Sequence, residues 1–262
     1  MASVLSHALN ETDDKAQVSR LSHTFVLPLM VLTVVTVAAQ LASLASGEGQ
    51  HPASVFVTSA TAIALVTLPL AGLGLWLGQP IGLGAPLLTK LLLGQRGSGK
   101  QLLQDASLAI PLGLGVGVVL LILRIVTAPL MPSELPALGH RGVLGGLAVS
   151  VGAAVGEEVW LRLGVMSVLA WLLLRVNRRS KLEPRVAWLA IVLAAVLFGL
   201  IHLPQLATAG AATPISVSGT IIGNTVVGTV CGWFYWRRSL IAAILAHFSV
   251  DFVLHVLSAL AG

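Results

Sequence analysis

Two glutamates and an arginine lie close together in an apolar stretch of the chain. Glu157, Glu158 and Arg162 stand within residues 142–174, which otherwise resemble a membrane span. A charged side chain at the centre of a span costs about 2.5–3.5 kcal/mol on insertion scales, so it normally has a partner and a function. Helical spacing places Glu158 and Arg162 on one face, where they can pair, and Glu157 about 100° round the helix. We therefore expect one orienting glutamate, tied to Arg162, and one glutamate free to act as a general base.

Further ionisable residues lie in later apolar stretches. His202 ends one of them, and His247 and Asp251 share a helical face in another because they are four residues apart. Each feature has a structural explanation by itself: an interfacial histidine, a hydrogen bond across one turn, and a buried ion pair for the glutamate and arginine. Together, two glutamates, two histidines and an aspartate on three stretches indicate one polar site inside the membrane.

The elements that must position these residues are membrane spans. Charged residues make up 10% of the chain and hydrophobic residues 56%, whereas a soluble domain has about 25% charged residues. The net charge of +5 does not indicate a nucleic-acid partner, because the basic residues lie in short runs between apolar stretches. The apolar runs predict an all-α, polytopic transmembrane bundle of about seven spans, at residues 24–46, 53–77, 104–130, 142–174, 186–202, 215–235 and 240–260. An eighth, re-entrant or interfacial segment near 80–93 stays open.

The loop charges predict the orientation of the bundle. If the spans alternate, the lysines and arginines of the loops and the N-terminal tail, including Lys15 and Arg20, fall on one side, and only Arg141 falls on the other. Because basic loops stay in the cytoplasm, we expect a cytoplasmic N-terminal tail over residues 1–23. A single transmembrane domain would follow over residues 24–262. The stretch Gly94–Lys100 fits a phosphate-loop pattern but lacks the following Ser or Thr and a preceding strand, so we interpret it as a flexible basic loop.

Three short motifs occur in order, each in a predicted span. Glu157 to Arg162 has the form EExxxR, Phe198 to His202 the form FxxxH, and His247 to Asp251 the form HxxxN/D. The ordered set resembles the CPBP family, which comprises CAAX proteases and bacteriocin-processing enzymes and is also called the abortive-infection family. The resemblance covers about residues 142–255, which would be the catalytic core. It implies an intramembrane glutamate endopeptidase, multi-pass in a bacterial or archaeal cell membrane. Its substrate would be a membrane-associated protein or peptide, which could be prenylated.

The resemblance also implies roles for the polar residues. Glu157 would activate a water molecule together with His202, while His247 and Asp251 would stabilise the tetrahedral oxyanion. The side chains that would order the site are Glu158, Arg162 and Phe198. Peptide hydrolysis needs a base for water, a donor to the leaving amine and stabilisation of the oxyanion, and this set can supply all three.

Two features do not fit this expectation simply. An ionised Asp251 would repel the developing negative charge, so Asp251 is either protonated or only orients His247. Counted from the inner ends of the predicted spans, Glu157 and His202 lie about 25 Å deep but His247 only about 10 Å. Straight, parallel helices would not bring these residues together.

Two other functions use the same residues. Glu157, His202 and His247 could hold zinc, with a glutamate as base for a metal-bound water, although the resemblance implies no cofactor. The single Cys231 excludes an internal disulfide and a zinc site built from cysteines. Alternatively, the carboxylates could form a proton or cation site in a transporter or a bacteriocin-immunity protein.

Overall fold

The computed structural model describes residues 22–47, 51–179 and 181–261. The predicted N-terminal tail, with Lys15 and Arg20, lies outside these residues apart from its last two positions. The described residues form helices and no strand, which confirms the predicted all-α class.

Seven helices are long and apolar enough to cross a membrane, as predicted. We number them α1 to α7; they span Thr24–Ala45, Ala53–Ile81, Ser98–Leu130, Gly142–Val176, Pro184–Thr208, Pro214–Arg237 and Leu240–Leu260. The chain is therefore an integral, multi-pass membrane protein.

The segment between α2 and α3 does not form an eighth span. It contains a seven-residue helix, Pro86–Leu92, which is far shorter than the roughly 20 residues needed to cross. Helix α3 begins at Ser98, earlier than the predicted residue 104, so the stretch predicted as a flexible loop ends inside its first turn. Gly97 precedes this helix with a φ of 85°, a left-handed conformation that glycine adopts without strain.

Two spans change their helical winding at the polar motifs. In α4, the α-helix Gly142–Glu157 continues as a π-helix over Glu158–Met166 before α-helix resumes at Ser167. In α7, the α-helix Leu240–Asp251 is followed by a π-helix over Phe252–Leu257. π-Helical segments are rare and frequently mark functional sites. Here each begins directly after a predicted catalytic residue, Glu157 in α4 and Asp251 in α7.

Glycines let the spans around these motifs approach closely. A Cβ atom at Gly228 of α6 would lie 2.9 Å from the Cα atom of Ala195 in α5. A Cβ atom at Gly117 of α3 would lie 2.9 Å from the carbonyl oxygen of Val250 in α7. Both distances are too short for a side chain, as expected at helix pairs in membranes that pack through small residues. These glycines therefore let α6 pack closely on α5 and α3 pack closely on α7.

A hydrogen-bonded tyrosine helps to explain how Glu157 and His247 come to lie at similar depths. The hydroxyl groups of Tyr235, near the end of α6, and Ser167 of α4 are 2.7 Å apart, and the Tyr235 hydroxyl accepts from the Gly84 N–H at 2.8 Å. From this common level, Glu157 lies ten residues along α4, and most of that stretch is the π-helix Glu158–Met166. His247 lies about eight residues, or roughly 12 Å, from the start of α7. The remainder of α4 extends beyond this level, so counting from its end overestimated the depth of Glu157.

The start of α7 is held by a buried carboxylate on α3. Asp105 is 1% exposed and accepts a hydrogen bond of 2.6 Å from the Ser239 hydroxyl. The Ser239 oxygen in turn accepts from the Ala242 N–H at 3.0 Å, so Ser239 caps α7. This contact fixes the register of α7 and, through it, the height of His247.

Candidate active site

Glu157 lies at the point where three spans converge. It is the last residue of the first α-helical part of α4, and its side chain is 20% exposed. Its Oε1 atom is 4.0 Å from Nε2 of His202, which follows the main helical part of α5. Its Oε2 atom is 3.7 Å from Nε2 of His247 on α7. The structure therefore brings these three predicted residues together, at distances slightly longer than direct hydrogen bonds.

Glu158 occupies a different environment from its neighbour. It is fully buried, and its Oε2 atom lies 3.2 Å from Nε of Arg162, which confirms the predicted pair. Its Oε1 atom lies 2.8 Å from Nδ1 of His247, a contact that the spacing along the chain did not predict. When Glu158 is ionised, this contact requires a proton on Nδ1 of His247. The contact also orients the ring so that Nε2 faces Glu157.

Arg162 is completely buried, and most of its hydrogen-bonding capacity is unused. Among the described residues, none of its three guanidinium nitrogens has a well-directed hydrogen bond, so the contact with Glu158 is an ion pair without aligned donors. The guanidinium carbon lies 4.9 Å from the centre of the Phe198 ring, a cation–π contact. A Cβ atom at Gly228 would lie 3.3 Å from Nη2 of Arg162, so the glycine leaves room for the guanidinium group.

Phe198 contacts the Arg162 guanidinium group and the rings of both histidines. Its ring packs edge-on against the His202 ring at 5.0 Å and the His247 ring at 5.7 Å, measured between centroids. Its carbonyl oxygen is 2.8 Å from Nδ1 of His202. Because a carbonyl can only accept, Nδ1 of His202 donates, and in the neutral ring Nε2 keeps a free lone pair toward Glu157. Phe198 thus lies in contact with Arg162, His202 and His247.

Asp251 borders the site without a direct bond to His247. Its Oδ2 atom is 3.7 Å from Nε2 of His247, which is too long for a hydrogen bond. The bond across one turn that the spacing allowed is therefore not formed. Glu158, rather than Asp251, makes the hydrogen bond that orients the His247 ring.

A group of possible metal ligands lies on the buried side of His247. Within the described residues, one set of three such side chains has its ligand atoms within 4.8 Å of one another, and it consists of Glu158, Cys231 and His247. This differs from the predicted set, and no motif in the sequence marks Cys231. Glutamate, cysteine and histidine are zinc ligands by type. The positive Arg162, 3.2 Å from the same carboxylate, opposes a cation there, so the set does not fit zinc well.

Two polar side chains on α1 and α2 anchor α4 beside the site. Gln40 of α1 donates from Nε2 to the carbonyl oxygen of Gly152 at 2.8 Å. Trp160, two residues after the glutamate pair, donates from Nε1 to the Thr67 hydroxyl of α2 at 2.9 Å. Sequence reasoning assigned neither contact, because a lone polar residue in a span does not reveal which helix it faces.

The comparisons with known proteins are consistent with this geometry. Residues 140–253 match the family model for type II CAAX prenyl endopeptidase Rce1-like proteins. The matched region contains the converging residues of α4, α5 and α7 and nearly coincides with the predicted core, 142–255. No curated protein and no solved structure gives a significant match. Residues 140–253, which make up less than half of the chain, are therefore similar to type II CAAX prenyl endopeptidase Rce1-like proteins.

Proposed function

We propose that this protein is an intramembrane endopeptidase in which Glu157 and His202 activate a water molecule. The observation that supports this most strongly is the convergence of Glu157 with His202 and His247 from three separate spans. Glu157 has no hydrogen bond to any described side chain, so its carboxylate is available for chemistry. In contrast, Glu158 is occupied by Arg162 and His247.

The nucleophile is a water molecule held between two acceptors. An ionised Glu157 and the Nε2 lone pair of His202 each accept one hydrogen bond, and two acceptors 4.0 Å apart can both lie about 2.8 Å from one water oxygen. A water held in this way directs an oxygen lone pair at the carbonyl carbon of the substrate. As the carbon–oxygen bond forms, Glu157 takes the proton.

The same groups complete the hydrolysis. His247 donates from Nε2 to the oxyanion, which requires protons on both of its ring nitrogens because Nδ1 is held by Glu158. The proton on Glu157 then passes to the leaving amine as the carbon–nitrogen bond breaks. Asp251, at 3.7 Å from Nε2 of His247, lies on the side of the site where the oxyanion forms. In its protonated form it can donate to that charge.

The substrate is a membrane-associated protein or peptide. Glu157 and His202 form the accessible edge of the site, with side chains 20% and 26% exposed, whereas His247 is only 4% exposed. The scissile bond therefore approaches from the side of Glu157 and His202. A prenylated C-terminal peptide is the first substrate class to examine, because the family that matches residues 140–253 is named for that reaction.

We propose that the reaction needs no metal. Zinc on Glu158, Cys231 and His247 would have to displace the ion pair with Arg162 and the hydrogen bond to His247. It would also lie on the far side of His247 from the exposed edge of the site. A chelator-treated, metal-free preparation is therefore expected to keep full activity, and recovery of a lost activity by added zinc alone would support the zinc-dependent alternative.

A cleavage screen tests the proposal. Purified protein in liposomes is incubated in ¹⁸O-labelled water with membrane peptides of matched sequence, with and without a prenyl group. Mass spectrometry should find a new carboxylate that carries one ¹⁸O atom, as water attack requires. Absence of cleavage across the panel, together with pH-driven solute uptake into the same liposomes, would instead favour a transporter.

A further inference from the structure

A cavity separate from the candidate active site lies between the ends of α2 and α4. It has a volume of about 590 Å³, and it contains none of the residues that converge on Glu157. Its apolar wall on α2 includes Trp76, Pro80 and Ile81. Trp171 of α4 contributes a second indole to the opposite wall.

Two arginines border the cavity from the α4 side. Arg175 and Arg179 both line it, and the guanidinium carbon of Arg175 lies 5.1 Å from the centre of the Trp171 ring. Arg179 pairs with Glu183 at 3.4 Å, but both side chains are about half exposed or more. Such an exposed pair contributes little, so Arg179 can exchange its partner at small cost. The cavity therefore offers up to two guanidinium groups beside an apolar, aromatic wall.

We propose that this cavity binds one anionic phospholipid. Guanidinium groups match the geometry of phosphate oxygens, and basic pockets between transmembrane helices bind lipid headgroups. Tryptophans are characteristic of the membrane interface, where headgroup and acyl chain meet. The phosphate lies between Arg175 and Arg179, and the part of an acyl chain nearest the headgroup lies against Trp76 and Ile81. This end of the bundle also carries the basic loop that follows α4, which attracts anionic lipid to the same leaflet.

The chain supplies a matched control for this site. Arg237 lies over Trp236 at 5.1 Å, the same distance as in the Arg175–Trp171 contact. Arg237 and the adjacent Arg238 lie at the same predicted side of the membrane and do not line the cavity. The double variant R237Q/R238Q therefore removes as much charge as R175Q/R179Q without altering the proposed site.

The test is lipid retention measured by native mass spectrometry, after reconstitution in nanodiscs of equal parts phosphatidylglycerol and phosphatidylcholine. We expect the wild type and R237Q/R238Q to retain one phosphatidylglycerol per chain. We expect R175Q/R179Q to bind it about 25-fold more weakly, at roughly fivefold per arginine. Ile81→Trp, which fills the cavity and keeps both arginines, is expected to lose the lipid as well.

Three outcomes would overturn the proposal: equal retention of phosphatidylcholine, unchanged retention in R175Q/R179Q, or an equal loss in R237Q/R238Q. If R175Q/R179Q fails to give the wild-type circular dichroism spectrum, retention by Ile81→Trp decides the question. The readout is independent of peptide cleavage, so its result stands whatever the outcome of the cleavage screen.

Discussion

Replacing Glu158 with glutamine tests how much the buried ion pair contributes to the fold. Within the described part of the chain, two Glu–Arg ion pairs join residues four apart, with nearly equal separations. Glu158 and Arg162 are 3.2 Å apart with both side chains fully buried, whereas Arg179 and Glu183 are 3.4 Å apart with side chains 60% and 47% exposed. Glu158→Gln and Glu183→Gln are therefore the same substitution in a buried and an exposed ion pair, and the buried one also weakens the contact with His247.

The expected magnitudes differ several-fold. Removing one partner of a buried pair leaves the other charge uncompensated and costs about 3–5 kcal/mol. Arg162 is an extreme example, because its guanidinium nitrogens have no other hydrogen-bond partner among the described residues. An exposed pair contributes only about 0–1 kcal/mol. We expect the free energy of unfolding to fall by about 3–5 kcal/mol in Glu158→Gln and by less than about 1 kcal/mol in Glu183→Gln.

The assay is reversible unfolding in mixed micelles by titration with sodium dodecyl sulfate, followed by circular dichroism. The difference between the free energies of unfolding of the two variants matters more than either value, because both are measured in the same micelles. Equal losses in the two variants, or a Glu158→Gln variant as stable as the wild type, would refute the inference that the buried pair holds the site together.

Three further predictions concern packing, the tyrosine contact and the oxyanion side of the site. Gly228→Ala places a Cβ atom 2.9 Å from α5 and should lower the free energy of unfolding by about 1–3 kcal/mol. Gly223→Ala on the same helix has open space around it and should leave that free energy nearly unchanged in the same titration. Tyr235→Phe removes a hydroxyl shared by two buried groups and should destabilise the protein by about 1–3 kcal/mol. Wild-type stability would contradict the inference that this contact sets the relative height of α4 and α6. Asp251→Asn should keep turnover within about tenfold of the wild type, because Asp251 makes no hydrogen bond to His247 and an amide can donate to an oxyanion. A loss of turnover as large as that of His247→Ala would contradict this prediction.

The number and approximate bounds of the spans could be predicted from the sequence, because length and hydropathy decide whether a segment crosses a bilayer. The pairing of Glu158 with Arg162 followed from helical spacing alone, since both residues lie on one element. The order of the three motifs also indicated which spans carry the polar site. All of these features are local in the chain or depend on composition.

Contacts between spans could not be predicted in the same way. The hydrogen bond from His247 to Glu158 depends on the relative height and rotation of α4 and α7, which Asp105 and Tyr235 help to set. Asp105 lies near the start of the span predicted from the sequence, a position typical of a solvated residue, yet it is buried against Ser239. Cys231 likewise comes close to the site only because α6 packs tightly on α5. The π-helical segments have no simple periodic signal, so the switch in winding after Glu157 was not foreseen.

Turnover by Glu157→Gln tests the central claim most directly. Glutamine keeps the shape of the side chain but cannot accept the proton from water, and Glu157 makes no hydrogen bond to a described side chain that its loss would break. Using a substrate identified in the cleavage screen, we predict that the rate falls by at least about 10²-fold. The free energy of unfolding should stay within about 0.5 kcal/mol of the wild type. Glu134→Gln, in the exposed loop after α3, should cleave at the wild-type rate. Cleavage by Glu157→Gln at the wild-type rate would contradict the proposal that Glu157 is the base.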